Sequence, residues 1–303
     1  MLDLIIIGAG TAGMTSALYA LRSGKSVLIL EKENVGGQIA FSPRVENFPS
    51  IMQISGSDFS NNLFEQVTEL GAEFELEEVL KIEKENNIFK VTTDYNEYTS
   101  KAVVIATGAK HRHINVPGEE ELIGNGVSYC AVCDGAFYKG EEVALIGDAN
   151  TALQYSILLS NYCKKVYVLT LFDRFFGEYN LVETLKKKEN VEIHHNLNLK
   201  QFIGKDKLEG LVFENTQTKE EFRLNVNAVF IAIGQVPDNK AFTNLVDLDK
   251  NGYVIADENL ETKTPGLFVA GDCRVKKIRQ LTTAVSDGAT TAINAVSYID
   301  KNF

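Results

Sequence analysis

The chain of 303 residues carries 30 basic and 41 acidic side chains, for a formal net charge of −11, and 45% of its residues are hydrophobic. This length predicts about two globular domains, and the acidic balance argues against nucleic acid as a partner, because phosphate binding needs a basic face. No apolar run approaches the ~20 residues of a membrane span, and the start of the chain lacks the basic region of a signal peptide. Four cysteines are too few for a disulfide scaffold, so we expect a cytoplasmic, reducing setting.

A dinucleotide-binding pattern opens the chain. Apolar runs predict buried strands over 2–7 and 26–30, and a helical pattern covers 12–22. Gly8-Ala9-Gly10-Thr11-Ala12-Gly13 lies between the first strand and the helix, and Glu31 ends the second strand. The glycines let the backbone approach a pyrophosphate at the helix N-terminus, and the carboxylate can accept a hydrogen bond from a ribose hydroxyl. The order of strand, turn, helix, strand and acid favours such a site over a plain turn.

The next elements complete this first unit. A loop-rich passage covers 36–49, where ordinary turn chemistry would also explain the glycines and prolines. A helix is predicted over 59–70, and strands are predicted over 74–79, 88–93 and 102–106.

The centre of the chain carries Cys130-Ala131-Val132-Cys133-Asp134. A Cys-x-x-Cys pair can close a disulfide and exchange it with another protein's thiols, and an acid beside it can handle the protons that reduction requires. The alternatives are two ordinary buried cysteines or half of a zinc site. A zinc site needs four ligands at close spacing, whereas Cys163 and Cys273 stand apart in the sequence.

A second unit repeats the layout of the first. Strands over 142–146 and 165–169 flank a helix that opens at 147–152 and runs to about 161. These features predict two nucleotide-type folds in series. Further elements follow, namely a helix over 178–188 and strands over 191–195, 208–214, 220–224 and 228–233.

The second copy is degraded where a nicotinamide cofactor would bind. Ala149 replaces the second glycine, which hinders close approach of a pyrophosphate. No acid ends the strand over 165–169, and Arg174 is the one cation available for a 2′-phosphate, opposed by Asp173. We therefore predict a nucleotide-type fold without a working nicotinamide site; a variant site that binds through other residues is the alternative.

The last segment returns to an apolar strand that ends in Gly271-Asp272, followed by a helix over 284–298. The N-terminus of that helix could direct its positive end at a flavin ring. A plain amphipathic C-terminal helix is the alternative.

Taken together, these motifs resemble the low-molecular-weight thioredoxin reductases over essentially the whole chain. The matching motifs are Gly8-x-Gly10-x-x-Gly13, Gly36-Gly37-Gln38, Val45-Glu46-Asn47, Ala106-Thr107-Gly108, Pro117-Gly118-Glu119, Cys130-Ala131-Val132-Cys133-Asp134-Gly135, Gly271-Asp272 and Arg279-Gln280. The resemblance implies an α/β fold of two Rossmann-like, three-layer ββα domains. An FAD domain would be formed by 1–113 and 243–303, and an inserted central domain over 114–242 would carry the cysteines. It also implies a homodimer.

The resemblance also implies roles for individual residues. Cys133 would be the cysteine nearest the flavin, Cys130 the interchange thiol that attacks the disulfide of thioredoxin, and Asp134 the acid that handles the proton. The positions that would bind FAD are Gly8, Gly10, Thr11, Ala12, Gly13, Glu31, Gly37, Gln38, Asn47, Val79, Ala106, Thr107, Gly108, Gly271, Asp272, Arg279, Gln280, Leu281 and Ala284.

The chain departs from that family at the positions that bind NADPH in typical members. Typical members carry an intact glycine-rich loop and the pattern His-Arg-Arg-x-x-x-Arg; here the sequences are Gly147-Asp148-Ala149-Asn150-Thr151-Ala152 and Thr170-Leu171-Phe172-x-x-x-Phe176. The chain therefore looks like the ferredoxin-dependent flavin thioredoxin reductases, which take electrons singly from a protein donor.

We interpret the chain as a thioredoxin reductase that uses FAD, with ferredoxin or flavodoxin as the electron donor and thioredoxin as the substrate. A basic cluster, Arg274, Lys276, Lys277 and Arg279, could attract an acidic ferredoxin, although a solvated loop is the simpler reading. Two alternatives stay open: an NAD(P)H-dependent thioredoxin reductase with an atypical site, and a redox-sensing regulatory flavoprotein. A ferredoxin–NADP oxidoreductase fits poorly, because it has no use for the cysteine pair.

Overall fold

The computed structural model describes residues 1–42 and 45–303, so Pro43 and Arg44 of the predicted loop lie outside the described residues. The chain divides into two compact units, one formed by 1–110 with 236–303 and the other by 111–235. Both divisions fall a few residues before the domain boundaries expected from the sequence. No helix in the described ranges combines the length and the apolar character needed to cross a membrane.

The strands, in chain order, are β1 (Leu2–Ile7), β2 (Val27–Glu31), β3 (Glu73–Leu76), β4 (Val79–Glu85), β5 (Ile88–Thr93), β6 (Glu97–Ile105), β7 (Lys110–His111), β8 (Val127–Ser128), β9 (Glu142–Ile146), β10 (Lys165–Leu169), β11 (Val191–His194), β12 (Leu197–Gly204), β13 (Leu208–Asn215), β14 (Glu221–Leu224), β15 (Ala228–Ile231), β16 (Gln235–Val236) and β17 (Leu267–Val269). The α-helices are α1 (Thr11–Arg22), α2 (Gly56–Glu69), α3 (Ala131–Asp134), α4 (Asn150–Ser160), α5 (Tyr179–Lys186) and α6 (Leu281–Asn302).

The first unit is built on a seven-stranded sheet in the order β3-β2-β1-β6-β5-β4, with β17 also paired to β6. Strands β3, β2, β1, β6 and β17 run parallel, and β4, β5 and β6 form an antiparallel meander. On one face of the sheet, residues such as Ile6 pack in a core with residues of α1 and α6. On the opposite face, residues such as Ile5 pack in a second core with Ile82 and Phe89 of the meander. Burial on both faces explains the continuous apolar run of β1.

The second unit has a five-stranded parallel sheet in the order β11-β10-β9-β15-β8 and a separate antiparallel sheet of β12, β13 and β14. A core on one side includes residues of α4 and α5, and a core on the other includes residues of β12 and β13. The parallel sheet repeats the strand–helix–strand layout of the first unit. The predicted fold class, α/β with two Rossmann-like units, is confirmed.

The structure corrects several element bounds. The predicted strand over 74–79 is two strands, β3 and β4, and β12 has no counterpart among the predictions. Both β4 and β12 expose polar side chains on one face, so neither shows the apolar run of a central strand. The last helix, α6, begins at Leu281 because Gln280 caps it: a capping box joins the side chains of Gln280 and Thr283 to each other's backbone N–H groups.

Candidate functional site

The cysteine pair forms a disulfide at the start of a short helix. Cys130 and Cys133 are bonded to each other, and α3 follows directly after Cys130. The backbone N–H of Cys133 donates to Cys130 Sγ at 3.2 Å, which would stabilise a thiolate on Cys130 once the bond opens. Val132, between them, is 46% exposed, so the turn between the two cysteines lies at the surface.

The acid after the pair is held from within the same unit. Asp134 Oδ2 accepts a hydrogen bond from Ser128 Oγ at 2.6 Å. Burial raises the pKa values of Tyr138 and Tyr155, and the negative charge of Asp134 raises them further. The predicted acid therefore accepts a hydroxyl hydrogen bond and lies within electrostatic range of two tyrosines.

In the first unit, the glycine motif forms a cradle at the N-terminus of α1. Among the described residues, no side chain caps this helix at Gly10 and no acid lies in its first turn, so the backbone N–H groups there can bind an anion. A Cβ at Gly10 would meet no described atom closer than Gly36 O at 4.0 Å, which leaves room for a ligand. Gly8 has a φ of 108° and a Cβ there would lie 2.3 Å from Ala106 O, so only glycine fits.

Glu31 ends β2 beside this cradle. One carboxylate oxygen accepts from Ala9 N at 2.8 Å and the other accepts from Glu33 N at 2.9 Å. Both oxygens keep a further lone pair, so Glu31 is oriented and can still accept a hydrogen bond from a ribose hydroxyl.

Other expected FAD positions of the first unit gather around the same cradle. Gly37, with Gln38 beside it, lies near Gly10: a Cβ at Gly37 would be 3.4 Å from the Gly10 Cα. A Cβ at Gly271 would be 2.8 Å from the Cβ of Ala12, which brings the loop after β17 to the start of α1.

The segments that contain Gly108 and Asn47 are held by side-chain hydrogen bonds within the first unit. Thr107 Oγ1 donates to Asn239 Oδ1 at 3.1 Å, and a Cβ at Gly108 would meet no atom of the described part of the chain within 4 Å. Asn47 Nδ2 donates to Gln280 Oε1 at 3.3 Å, which joins the predicted loop to the start of α6. Val79 starts β4, paired with Thr93.

Asp272 has a buried carboxylate oxygen that lacks a hydrogen-bond donor among the described residues. Within the described residues, its Oδ1 makes no hydrogen bond, and Lys276 Nζ lies 4.0 Å away. Burial raises the pKa of Asp272, although the nearby cations oppose this. An orphaned buried acceptor is costly unless a ligand supplies a donor, and a flavin side chain carries hydroxyl groups suited to that. The cradle, Glu31 and Asp272 together fit FAD.

The structure places three of the four basic side chains of the expected patch in internal contacts. Arg274 and Lys276 both bind the Asp287 carboxylate, and Lys276 is only 7% exposed. Arg279 lies over the Tyr253 ring, 4.1 Å from its centroid, and donates to Asp272 O. These cations serve internal contacts, which sequence proximity alone could not reveal because Asp287 comes from the following helix.

In the second unit, the loop after β10 folds onto the start of α4. Phe176 N donates to Asp148 O at 2.7 Å, Glu178 N donates to Asn150 Oδ1 at 2.7 Å, and Asn150 Nδ2 donates back to the Glu178 carboxylate at 3.0 Å. A carboxylate thus lies near the helix N-terminus where a pyrophosphate would bind, and it would repel one.

The positions that would read a 2′-phosphate are apolar and exposed. Leu171, Phe172 and Phe176 are about half exposed, and the two phenylalanine rings pack edge to face with centroids 5.3 Å apart. Arg174 lies over the Phe176 ring at 5.2 Å. This surface offers stacking but little charge for a phosphate.

Two contacts that sequence reasoning missed involve Ser128 and Asp287. Neither residue belongs to a recognisable motif, so no spacing in the sequence marks it.

Comparison with known proteins supports the architecture. The model of the pyridine nucleotide-disulphide oxidoreductase family matches residues 2–288.

Individual relatives cover the full chain. A "34.2 kDa protein in rubredoxin operon" of Clostridium pasteurianum is 40% identical over 98% of this chain and 97% of that protein. The thioredoxin reductase of Listeria monocytogenes is 38% identical over 99% of this chain and 94% of its own length. The crystal structure of thioredoxin reductase from Streptococcus pyogenes matches with a TM-score of 0.96 at 36% identity, covering 99% of both chains.

Proposed function

Because this chain belongs to the pyridine nucleotide-disulphide oxidoreductase family, we propose that it reduces thioredoxin with electrons from ferredoxin and not from NADPH. The thioredoxin reductases of this family are FAD-binding flavoproteins. The observation that carries the proposal is the Cys130–Cys133 disulfide beside Asp134, in a unit whose nucleotide positions are apolar or acidic.

The residues of the first unit would hold the cofactor. The N–H groups at the start of α1 would bind the pyrophosphate, Glu31 a ribose, and Asp272 a hydroxyl of the flavin side chain. When bound, FAD supplies an electron carrier that can collect single electrons and deliver them in pairs.

The residues of the second unit would carry out the exchange. Reduction of the disulfide takes two electrons and two protons and yields the thiols of Cys130 and Cys133. The Cys130 thiolate then attacks the disulfide of thioredoxin and forms a mixed disulfide, and Cys133 displaces the reduced thioredoxin and closes the pair again. Asp134 would hold the proton that moves to or from a cysteine sulfur in these steps.

Four observations support a protein donor. Ala149 stands at the N-cap of α4, where a second glycine would let a pyrophosphate approach. The Glu178 carboxylate lies near that helix start, and the expected phosphate-binding side chains are Leu171, Phe172 and Phe176. The name of the Clostridium pasteurianum relative refers to rubredoxin, which is also a one-electron carrier.

We also propose a homodimer and a reducing, cytoplasmic setting, in which the pair would cycle and not persist as a structural disulfide. Flavodoxin is an equivalent donor in this proposal, because it too supplies electrons to the flavin.

An anaerobic absorbance titration of the flavin-loaded protein tests the donor. We expect reduced ferredoxin to bleach the flavin band, and NADPH and NADH to leave it unchanged over minutes. Rubredoxin and flavodoxin are parallel arms, and an NADPH-dependent thioredoxin reductase is the positive control. Rapid bleaching by NADPH would overturn the donor proposal.

Turnover separates an enzyme from a regulatory flavoprotein. With ferredoxin kept reduced, we expect many equivalents of thioredoxin to be reduced per protein, and none with Cys130→Ser. A single equivalent would mean that the disulfide acts as a switch and does not turn over.

A further inference from the structure

The feature that carries a further inference is Ser128, a buried residue at the end of β8. Its strand pairs with β15 in the parallel sheet of the second unit, so its backbone is fixed by the core. Its hydroxyl donates to Asp134 Oδ2 at 2.6 Å and accepts from Cys130 N at 3.1 Å. Ser128 therefore joins the acid to the backbone of the first cysteine.

The two contacts fix the direction of the hydroxyl proton. A serine hydroxyl has one proton to donate, and a backbone N–H can only donate. Because the Cys130 N–H donates to the Ser128 oxygen, Ser128 uses its own hydroxyl proton to donate to Asp134. A hydrogen bond to an ionised carboxylate is roughly twice as strong as one between neutral groups, so the contact favours the ionised acid.

We propose that Ser128 is a positioning residue that keeps Asp134 ionised and oriented next to the cysteine pair, ready to take a proton from a thiol. This rests on the proposed function for its role in turnover, although the coupling between Ser128, Asp134 and the thiols can be measured without it. When Cys130 must become a thiolate, the proton moves to an Asp134 oxygen while Ser128 stays bonded to the carboxyl group. When electrons arrive at the disulfide, the same proton returns to a sulfur.

The surroundings of Asp134 make this coupling measurable. The titratable side chains that face it are Tyr138 of the 3₁₀ turn after α3 and Tyr155 of α4, and the hydroxyl of Tyr162 lies against Gly135. Burial raises the pKa of each of these tyrosines, so they stay neutral through the range in which Asp134 and the thiols titrate.

The test is the pH dependence of alkylation of Cys130 by iodoacetamide, in flavin-loaded protein that has been reduced by excess dithiol and desalted without oxygen. Mass spectrometry identifies the alkylated cysteine. This assay needs neither thioredoxin nor an electron donor. Cys163 and Cys273 serve as internal controls, because both are buried and burial raises the pKa of each to about 11.

We expect the rate profile to show a lower inflection from Asp134, which disappears in Asp134→Asn. Ser128→Ala should move that inflection up by about one pKa unit, the size of one hydrogen bond to a charged group, and Ser128→Thr should restore it. Ser156→Ala is the matched control, since Ser156 is also buried but donates to Ala152 O. If Ser128→Ala does not fold, Ser128→Gly, which also lacks the hydroxyl donor, replaces it.

A profile for Ser128→Ala that superimposes on the wild type would overturn the proposal, as would an inflection that persists in Asp134→Asn. In turnover with thioredoxin, we expect Ser128→Ala to lower kcat about tenfold with KM unchanged, because the Asp134 carboxylate loses its orientation toward the cysteine sulfurs while thioredoxin binding is unaffected. If thioredoxin is not a substrate at all, the proposed function fails while the alkylation profile still decides the role of Ser128.

Discussion

Lys276 Nζ donates a hydrogen bond to Asp287 Oδ2 at 2.9 Å, and the two side chains are only 7% and 9% exposed. The same carboxylate accepts from Arg274 at both oxygens and from Gly271 N at 3.0 Å. Burial alone would raise the pKa of Asp287, but the hydrogen bonds from the two cations outweigh it and hold the pKa below its ordinary value. One buried acid of α6 thus fastens the loop that carries Asp272.

This arrangement predicts an order of stability among three variants. Asp287→Ala removes the carboxylate that pairs with both Arg274 and Lys276 and leaves Lys276 only the Asp272 oxygen at 4.0 Å, so it should lower the free energy of unfolding by about 3–5 kcal/mol. Lys276→Met leaves Asp287 paired with Arg274 and should cost about 2 kcal/mol. Lys277→Met, at an exposed neighbouring position, is the control and should have no effect. Urea unfolding followed by flavin fluorescence gives the order, and an equal loss for Lys277→Met would contradict the contact.

Glu77 predicts a pH dependence of stability in the first unit. It is buried, and it accepts hydrogen bonds from Thr93 Oγ1 at 2.5 Å, Asn96 Nδ2 at 2.6 Å and Tyr98 OH at 3.2 Å. Burial opposes ionisation, but these hydrogen bonds prevail and the pKa lies below its ordinary value of 4.5. A depressed folded pKa means that the stabilisation is complete above the unfolded pKa and is lost as pH falls through the folded one.

We therefore expect the wild type to lose stability on acidification below about pH 4.5, and Glu77→Gln to lose less over the same range. The variant should be less stable than the wild type at pH 7. Thermal unfolding at a series of pH values measures both effects. Parallel curves for the two proteins would show that Glu77 is not the group that titrates.

The roles of the two cysteines predict which variant can be trapped. Cys133→Ser retains the Cys130 thiol, so it should form a stable mixed disulfide with a single-cysteine thioredoxin activated by a thionitrobenzoate group. With native oxidised thioredoxin it should trap poorly, because the partner's second cysteine resolves the bond. Cys130→Ser should trap neither. Non-reducing electrophoresis and peptide mapping measure the outcome; a complex linked through position 133 would reverse the assignment.

The apolar surface after β10 predicts a gain of binding. Leu171, Phe172 and Phe176 are about half exposed, so arginines there should be tolerated by the fold. The triple arginine variant combined with Ala149→Gly should bind NADPH at least about tenfold more tightly than the wild type, because guanidinium groups pair with phosphate. Calorimetric titration measures this, with NADH, which lacks the 2′-phosphate, as the control. An equal gain for NADH would mean that the new arginines do not read the 2′-phosphate.

The sequence predicts best the elements that are buried on both faces along most of their length. The central strands β1, β9 and β10 are buried on both faces, so their apolar runs mark their bounds closely. The sequence predicts β4 only as the end of a strand over 74–79 and does not predict β12, because one exposed face of each interrupts the apolar pattern with Lys, Glu, Asn and Gln. The sequence predicts the start of α6 at Ala284 and not at Leu281, because a Gln cap is a weaker signal than Ser, Thr or Asp.

By itself, the sequence determined the features that depend on neighbours along the chain: the glycine turn before α1, the acid at the end of β2, the cysteine pair and the degraded second copy. The tertiary structure decided the rest, because it depends on side chains from separate elements. Asp287 of α6 neutralises cations that the sequence presents as a basic patch. Ser128 of β8 meets Asp134 of α3, and Asp272 is left with a buried oxygen. The partners of a charged or hydrogen-bonding group are decided by distances in three dimensions, and the composition and spacing of the sequence do not give those distances.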